Sequence, residues 1–176
     1  MKNEKRDETG ETRMSISVVA RKHLDPNLGR PIQILLVEDS PSDAAMTIEA
    51  LHEGRIANEV HIATDGEVAM AFLLKQEPYA DAPRPDLILL DLNLPRMDGR
   101  EVLRAVKGDL SLKTIPVIVL TTSAAESDIA ESYELYANAY VTKPVAFDAF
   151  LAAVRSIEDF WLALVHFPRQ GSKGTG

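Results

Sequence analysis

The chain contains no cysteine. Disulfides, thiolate metal sites and cysteine nucleophiles are therefore excluded. No stretch is long and apolar enough to cross a bilayer, which takes about 20 consecutive apolar residues. The start, Met1-Lys2-Asn3-Glu4-Lys5-Arg6-Asp7, lacks the apolar centre of a signal peptide. Internal repeats and low-complexity tracts are missing too. These absences fit a cytoplasmic protein without a membrane partner. An excess of basic charge is also lacking: the net charge is −8. Residues 1–31 hold seven Lys/Arg and five Asp/Glu, which leaves about −10 on the remaining 145 residues. An acidic body argues against nucleic-acid binding, which relies on neutralising phosphates with Lys and Arg. It suits a carboxylate cluster that attracts a divalent cation.

What is present points to one domain. The 176 residues are 45% hydrophobic, enough for a single core with tails. Residues 1–31 mix charges with Ser, Thr, Pro and Gly and read as a flexible leader, with a short amphipathic piece at Ile16, Val18 and Val19. The folded unit is expected over 32–160, and 161–176 as a C-terminal arm and tail. Ile32–Val37 is an apolar run of strand length. Ser40-Pro41-Ser42-Asp43 then reads as a helix start, with Ser40 as N-cap and Asp43 at the third position. Further strands are expected at Glu59–Ala63, Leu87–Leu90, Pro116–Leu120 and Ala139–Val141. Helices are expected over Gly66–Gln76, after Gly99, over Glu126–Tyr136, and from about Ala146 past Trp161. Continuous apolar strands alternating with helices imply a parallel sheet covered on both faces. Five such units make an open, doubly wound α/β sandwich.

In such a sheet, ligands bind outside the carboxyl ends of the strands. Glu38 and Asp39 follow the first of these strands, and Asp91 follows the third. Thr121, Thr122 and Ser123 follow the fourth; Thr142, Lys143 and Pro144 follow the fifth. If those strands are neighbours, three carboxylates, several hydroxyls and one ammonium meet in one pocket. Three ionised carboxylates in contact repel one another and raise at least one pKa. A divalent cation removes that cost. Hard oxygen ligands without His or Cys favour Mg²⁺ or Mn²⁺ over zinc. Cation, ammonium and hydroxyl together suit a phosphoryl group, whose transfer depends mainly on positioning and charge neutralisation. Asp91, on a central strand, is the natural acceptor.

Val37-Glu38-Asp39-Ser40, Asp91-Leu92-Asn93-Leu94-Pro95-Arg96-Met97-Asp98-Gly99, Leu120-Thr121-Thr122 and Val141-Thr142-Lys143-Pro144 resemble the receiver domains of two-component response regulators. The resemblance covers about residues 32–160 and implies a flavodoxin-like (βα)5 fold with strand order 2-1-3-4-5. It implies phosphorylation of Asp91 by a sensor histidine kinase. Asp39, Asp91 and the main-chain carbonyl of Asn93 would ligate Mg²⁺, with Glu38 acting through a water. Lys143 and Thr121 would contact the phosphoryl group, with the Lys143–Pro144 bond cis and Tyr140 changing rotamer with Thr121 as a switch. Asn93 and Ser123 flank the acceptor and are expected to tune dephosphorylation. Asp98 reads as a helix cap. None of His23, His52, His61 and His166 lies in a motif, and all four read as surface residues.

No effector domain is expected after the receiver, so output is expected through protein contacts. The last helix carries Phe150, Leu151, Val154, Ile157, Trp161 and Val165 at helical spacing. Phe160, Trp161, Leu164 and Phe167 add apolar surface that a homodimer would bury. Thr121-Thr122-Ser123, Tyr136-Ala137-Asn138-Ala139-Tyr140 and Phe160-Trp161 narrow the resemblance to small regulators paired with bacterial phytochrome-type kinases. Many receivers carry Gly where this chain has Tyr136 and Ala139, so any left-handed backbone there is costly unless Asn138 takes it. Two alternatives stand beside a signalling switch that is not a conventional enzyme. An aspartate-nucleophile phosphatase would need a second aspartate where Asn93 stands, and a pseudo-receiver would not need Lys143, Thr121 and all three acids.

Overall fold

The computed structural model describes residues 15–18, 24, 29–54, 56–157 and 159–160. Six strands are seen: β1 (Ser15–Val18), β2 (Ile32–Val37), β3 (Asn58–Ala63), β4 (Leu87–Leu90), β5 (Val117–Thr121) and β6 (Ala139–Thr142). Five helices connect them: α1 (Pro41–Glu53), α2 (Gly66–Leu73), α3 (Gly99–Gly108), α4 (Glu126–Glu134) and α5 (Phe147–Ile157). The sheet order is β1-β3-β2-β4-β5-β6. The last five strands are parallel and reproduce the flavodoxin-like order expected from the sequence.

The apolar strands feed both faces because side chains alternate along a strand. Leu35, Val37, Ile88, Leu90, Val117 and Val119 pack toward Ala69 and Phe72 of α2 and Val102, Leu103 and Val106 of α3. Ile34, Leu36, Leu87, Leu89, Ile118 and Leu120 pack toward Ile48 and Leu51 of α1 and Phe150, Val154 and Ile157 of α5. The last three form a stripe at i, i+4 and i+7, and each is worth about 1.5–3 kcal/mol of burial. Trp161, Leu164 and Phe167 of the expected apolar arm lie outside the described residues, and Phe160 is exposed.

Two expectations need correction. The leader is not wholly without structure, since Ser15–Val18 pair antiparallel with β3, Ser15 opposite His61 and Val18 opposite Asn58. An edge strand offers unpaired backbone groups, and a four-residue segment that satisfies them carries too few residues to show a period. His61 is not a surface residue but is buried on β3. Its Nε2–H donates to Gln33 Oε1 at 2.7 Å, and Gln33 Nε2 donates to Glu59 Oε2 at 3.1 Å. Its ring lies 5.2 Å from that of Phe72.

Helix α4 ends in a left-handed residue, and it is Tyr136, at φ 64°, rather than Asn138. The Tyr136 N–H donates to the Tyr133 carbonyl and the Ala137 N–H to the Ser132 carbonyl. That pair of bonds closes the helix and fixes the backbone regardless of side chain. Tyr136→Gly is therefore expected to stabilise the protein by about 0.5–1 kcal/mol, a rise of roughly 1–4 °C in thermal midpoint. A lower midpoint would contradict this geometry.

Burial holds the His61 imidazole below its ordinary value of 6.5, opposed in part by Glu59. The unfolded chain takes up a proton there below about pH 6.5, whereas the folded chain resists it. This contribution to stability is thus present above that pH and lost as pH falls through the lower folded value. His61→Gln is expected to flatten the loss of denaturant stability as pH falls below about 6.5. Parallel curves for the two proteins would refute the assignment.

Candidate functional site

The carboxyl ends of β2, β4, β5 and β6 lie side by side, so the residues that follow them share one rim. Val37 is in register with Leu90, Leu90 with Val119, and Thr121 with Thr142. Glu38 and Asp39 leave β2 before Ser40 caps α1. Glu38 is buried and folds back, accepting the Ser40 N–H on Oε1 at 3.0 Å, whereas Asp39 is exposed. Asp91 follows β4, is 6% exposed, and accepts the Asn93 N–H on Oδ1 at 3.0 Å. Thr121 is fully buried, and the Asn93 side-chain amide donates to its hydroxyl at 3.4 Å. Among the described residues, Glu38, Asp39 and Asp91 each offer a carboxylate oxygen within 4.8 Å of the others. Their hard oxygen donors, without His or Cys, suit Mg²⁺ or Mn²⁺.

Lys143 enters from β6, where its N–H donates to the Thr121 carbonyl at 2.7 Å. Its ammonium donates to Asp91 Oδ2 at 2.9 Å, to Asp43 Oδ2 at 3.0 Å and to Glu38 Oε2. Burial pulls the Lys143 pKa down, but its hydrogen bonds to these three carboxylates outweigh that and hold the group above the ordinary lysine range. It stays protonated. Burial pushes the Glu38 carboxyl up, against the opposing hydrogen bond and charge of Lys143, and nearby Asp91 adds to the rise. The site therefore holds a near-buried carboxylate, Asp91, beside a fixed ammonium and three further acids, Glu38, Asp39 and Asp43.

Asp98 caps α3, accepting the Arg100 N–H at 2.7 Å, while its own N–H donates to Glu101 at 2.9 Å. Its role is the helix start, as its position suggests. Tyr140 donates to the Ser123 carbonyl at 2.8 Å. The Ser123 hydroxyl donates to Asp128, which Arg100 binds at 2.6 Å. Asp43 was legible only as the third residue of α1. Lys143–Pro144 is not cis: Glu77–Pro78 is the one cis peptide bond among the described residues.

The pattern of the response regulator receiver domain matches residues 34–155. The chain belongs to that family. Response regulator Rcp1 of Synechocystis sp. (strain ATCC 27184 / PCC 6803 / Kazusa) is 51% identical over 138 residues, spanning 78% of this chain and 94% of that one. The crystal structure of its Mn²⁺-bound form superposes with a TM-score of 0.76, covering 78% of this chain and 99% of that one. The phosphorylated cyanobacterial phytochrome response regulator RcpA is 47% identical with a TM-score of 0.77, covering 79% and 99%. The receiver reading of the four strand-end motifs is thereby established at the level of family and fold.

Gly99 is the backbone constraint on the site. A Cβ there would stand 2.2 Å from the Asp91 carbonyl oxygen and 2.6 Å from Leu92 Cα. Neither backbone atom can move without displacing Asp91. Gly99→Ala is expected to lower stability by at least about 1–3 kcal/mol, read as an earlier denaturant midpoint. An unchanged midpoint would show that the loop after β4 is looser than this packing.

Proposed function

We propose that this receiver takes a phosphoryl group from a histidine kinase onto Asp91, with a divalent cation held by Asp39 and Asp91. The observation that carries this reading is the Lys143 ammonium, 2.9 Å from Asp91 Oδ2 and adjoining the Glu38–Asp39–Asp91 cluster. In the transfer, an Asp91 carboxylate oxygen attacks phosphorus as the phosphorus–nitrogen bond to the donor imidazole breaks. The electron pair of that bond stays on the imidazole nitrogen, which takes up a proton. Lys143 and Thr121 neutralise charge on the phosphoryl oxygens. The cation, when bound, offsets carboxylate repulsion and polarises those oxygens. The Asn93 carbonyl completes its protein ligands, and Glu38 acts through water. Tyr140 and Thr121 form the switch that follows phosphorylation.

The receiver unit is 32–160 with β1 pairing along its sheet edge, and the protein acts as a cytoplasmic signalling switch whose chemistry is limited to its own phosphorylation and dephosphorylation. The likeness to RcpA supports a phytochrome-type sensor kinase as the donor. The exposure of Phe160 supports a homodimer built on Phe160, Trp161, Leu164 and Phe167.

A small-molecule acyl phosphate with Mg²⁺ tests the central assignment. Stable labelling of the chain, abolished by Asp91→Asn and by removal of Mg²⁺, is the expected result. Label that survives Asp91→Asn refutes the acceptor. An unlabelled chain indicates a pseudo-receiver, and repeated turnover of phosphoesters indicates a phosphatase.

A further inference from the structure

We propose that Asp43 is a positioning residue that holds the Lys143 ammonium beside Asp91 when a cation occupies the acid cluster. This rests on Asp91 being the phosphoacceptor. An ammonium has three N–H donors and no acceptor. All three donors of Lys143 are committed, to Glu38, Asp43 and Asp91. Two of these partners, Glu38 and Asp91, also belong to the triad whose oxygens lie within 4.8 Å of one another. A cation there draws on the lone pairs that Lys143 uses and repels the ammonium directly. Asp43 is the partner of Lys143 outside that triad.

Its geometry suits the task. Asp43 sits in the first turn of α1, and its N–H donates to the Ser40 hydroxyl at 3.3 Å. The Asp43 carbonyl accepts the Thr47 hydroxyl at 2.8 Å. A helix packed on the sheet therefore fixes its position relative to Glu38 and Asp39. Its side chain is 25% exposed and that of Lys143 is 3% exposed. Asp43 thus keeps partial hydration and is the solvent-side anchor of a buried cation. During transfer the Asp91 oxygen facing Lys143 changes character, and the ammonium must engage phosphoryl oxygens. Asp43 holds the stem in place through that exchange. Without it, a four-carbon chain regains rotamer freedom and leaves the reacting position.

The test compares full-length wild type, Asp43→Ala, Asp43→Asn, Lys143→Ala and the Asp43→Ala/Lys143→Ala double variant. Each is labelled with an acyl phosphate at saturating Mg²⁺, and its Mg²⁺ affinity is measured by calorimetry. Asp43→Ala is expected to be labelled about tenfold to a hundredfold more slowly, the scale of a misplaced catalytic group. Its Mg²⁺ affinity should change far less than its rate. Asp43→Asn, which keeps an acceptor, should regain part of the rate. In the Lys143→Ala chain, Asp43→Ala should cost nothing further, because Asp43 acts through Lys143. If Lys143→Ala is too slow to resolve, the same cycle is read from denaturant midpoints with Mg²⁺ present, where the two changes should be non-additive. Wild-type speed in Asp43→Ala, or additive losses, overturns the role while leaving Asp91 as acceptor. An unlabelled wild type overturns the acceptor assignment and the role with it.

Discussion

A buried ammonium holds the site together. Lys143 reaches in from the end of β6 and is almost sealed from solvent among carboxylates brought by β2, β4 and α1. Burial alone penalises the charged form and pulls the ammonium's pKa down. Three carboxylates reverse the outcome. The reverse dependence also holds, since Lys143 restrains the upward pull of burial on Glu38. Counting Asp39, four acids surround one base, so the pocket retains surplus negative charge. In the proposed reading, that surplus would hold a divalent cation, and cation plus ammonium would then compensate a phosphoryl group.

A run of polar contacts leads from that pocket to helix α4. The Ser123 N–H donates to the Thr121 hydroxyl at 3.4 Å, and the Ser123 carbonyl accepts Tyr140. Ser123 also holds Asp128, and Arg100 joins Asp128 and Glu131 of α4 to Asp98 of α3. Helix α4 has little else to hold it. Ser132 is its one buried residue, its start lacks a side-chain cap, and its end needs a left-handed tyrosine. An element held by polar contacts rather than core burial shifts at small energetic cost. Helices α1, α2, α3 and α5, by contrast, are tied to the sheet by apolar side chains.

Much of this was legible before any coordinates. The apolar strands from Ile32 onward announced a two-faced parallel sheet, and Glu38, Asp39, Asp91, Thr121 and Lys143 all lie at or just past strand ends. A short local pattern carries that information. Asp98 as a cap was legible for the same reason. Asp43 was not, because its contact with Lys143 spans most of the chain and no local signal distinguishes it from any acid in a first helical turn. His61 was misread because its partner, Gln33, lies on a neighbouring strand, and its burial follows from pairing rather than from its own neighbours in sequence. Strand β1 was legible only as the amphipathic piece at Ile16, Val18 and Val19, because its hydrogen bonds come from the edge it covers. Tyr136 shows the remaining kind of gap, where tertiary closure of a helix overrides the preference for glycine.

The most direct measurement is calorimetric titration of the full chain with Mg²⁺, compared with Asp39→Asn and Lys143→Met. One cation per wild-type chain is expected, with binding strongly weakened in Asp39→Asn and tightened in Lys143→Met, where the competing ammonium is gone. Equal affinity in all three proteins would contradict a cation site at the Glu38–Asp39–Asp91 rim.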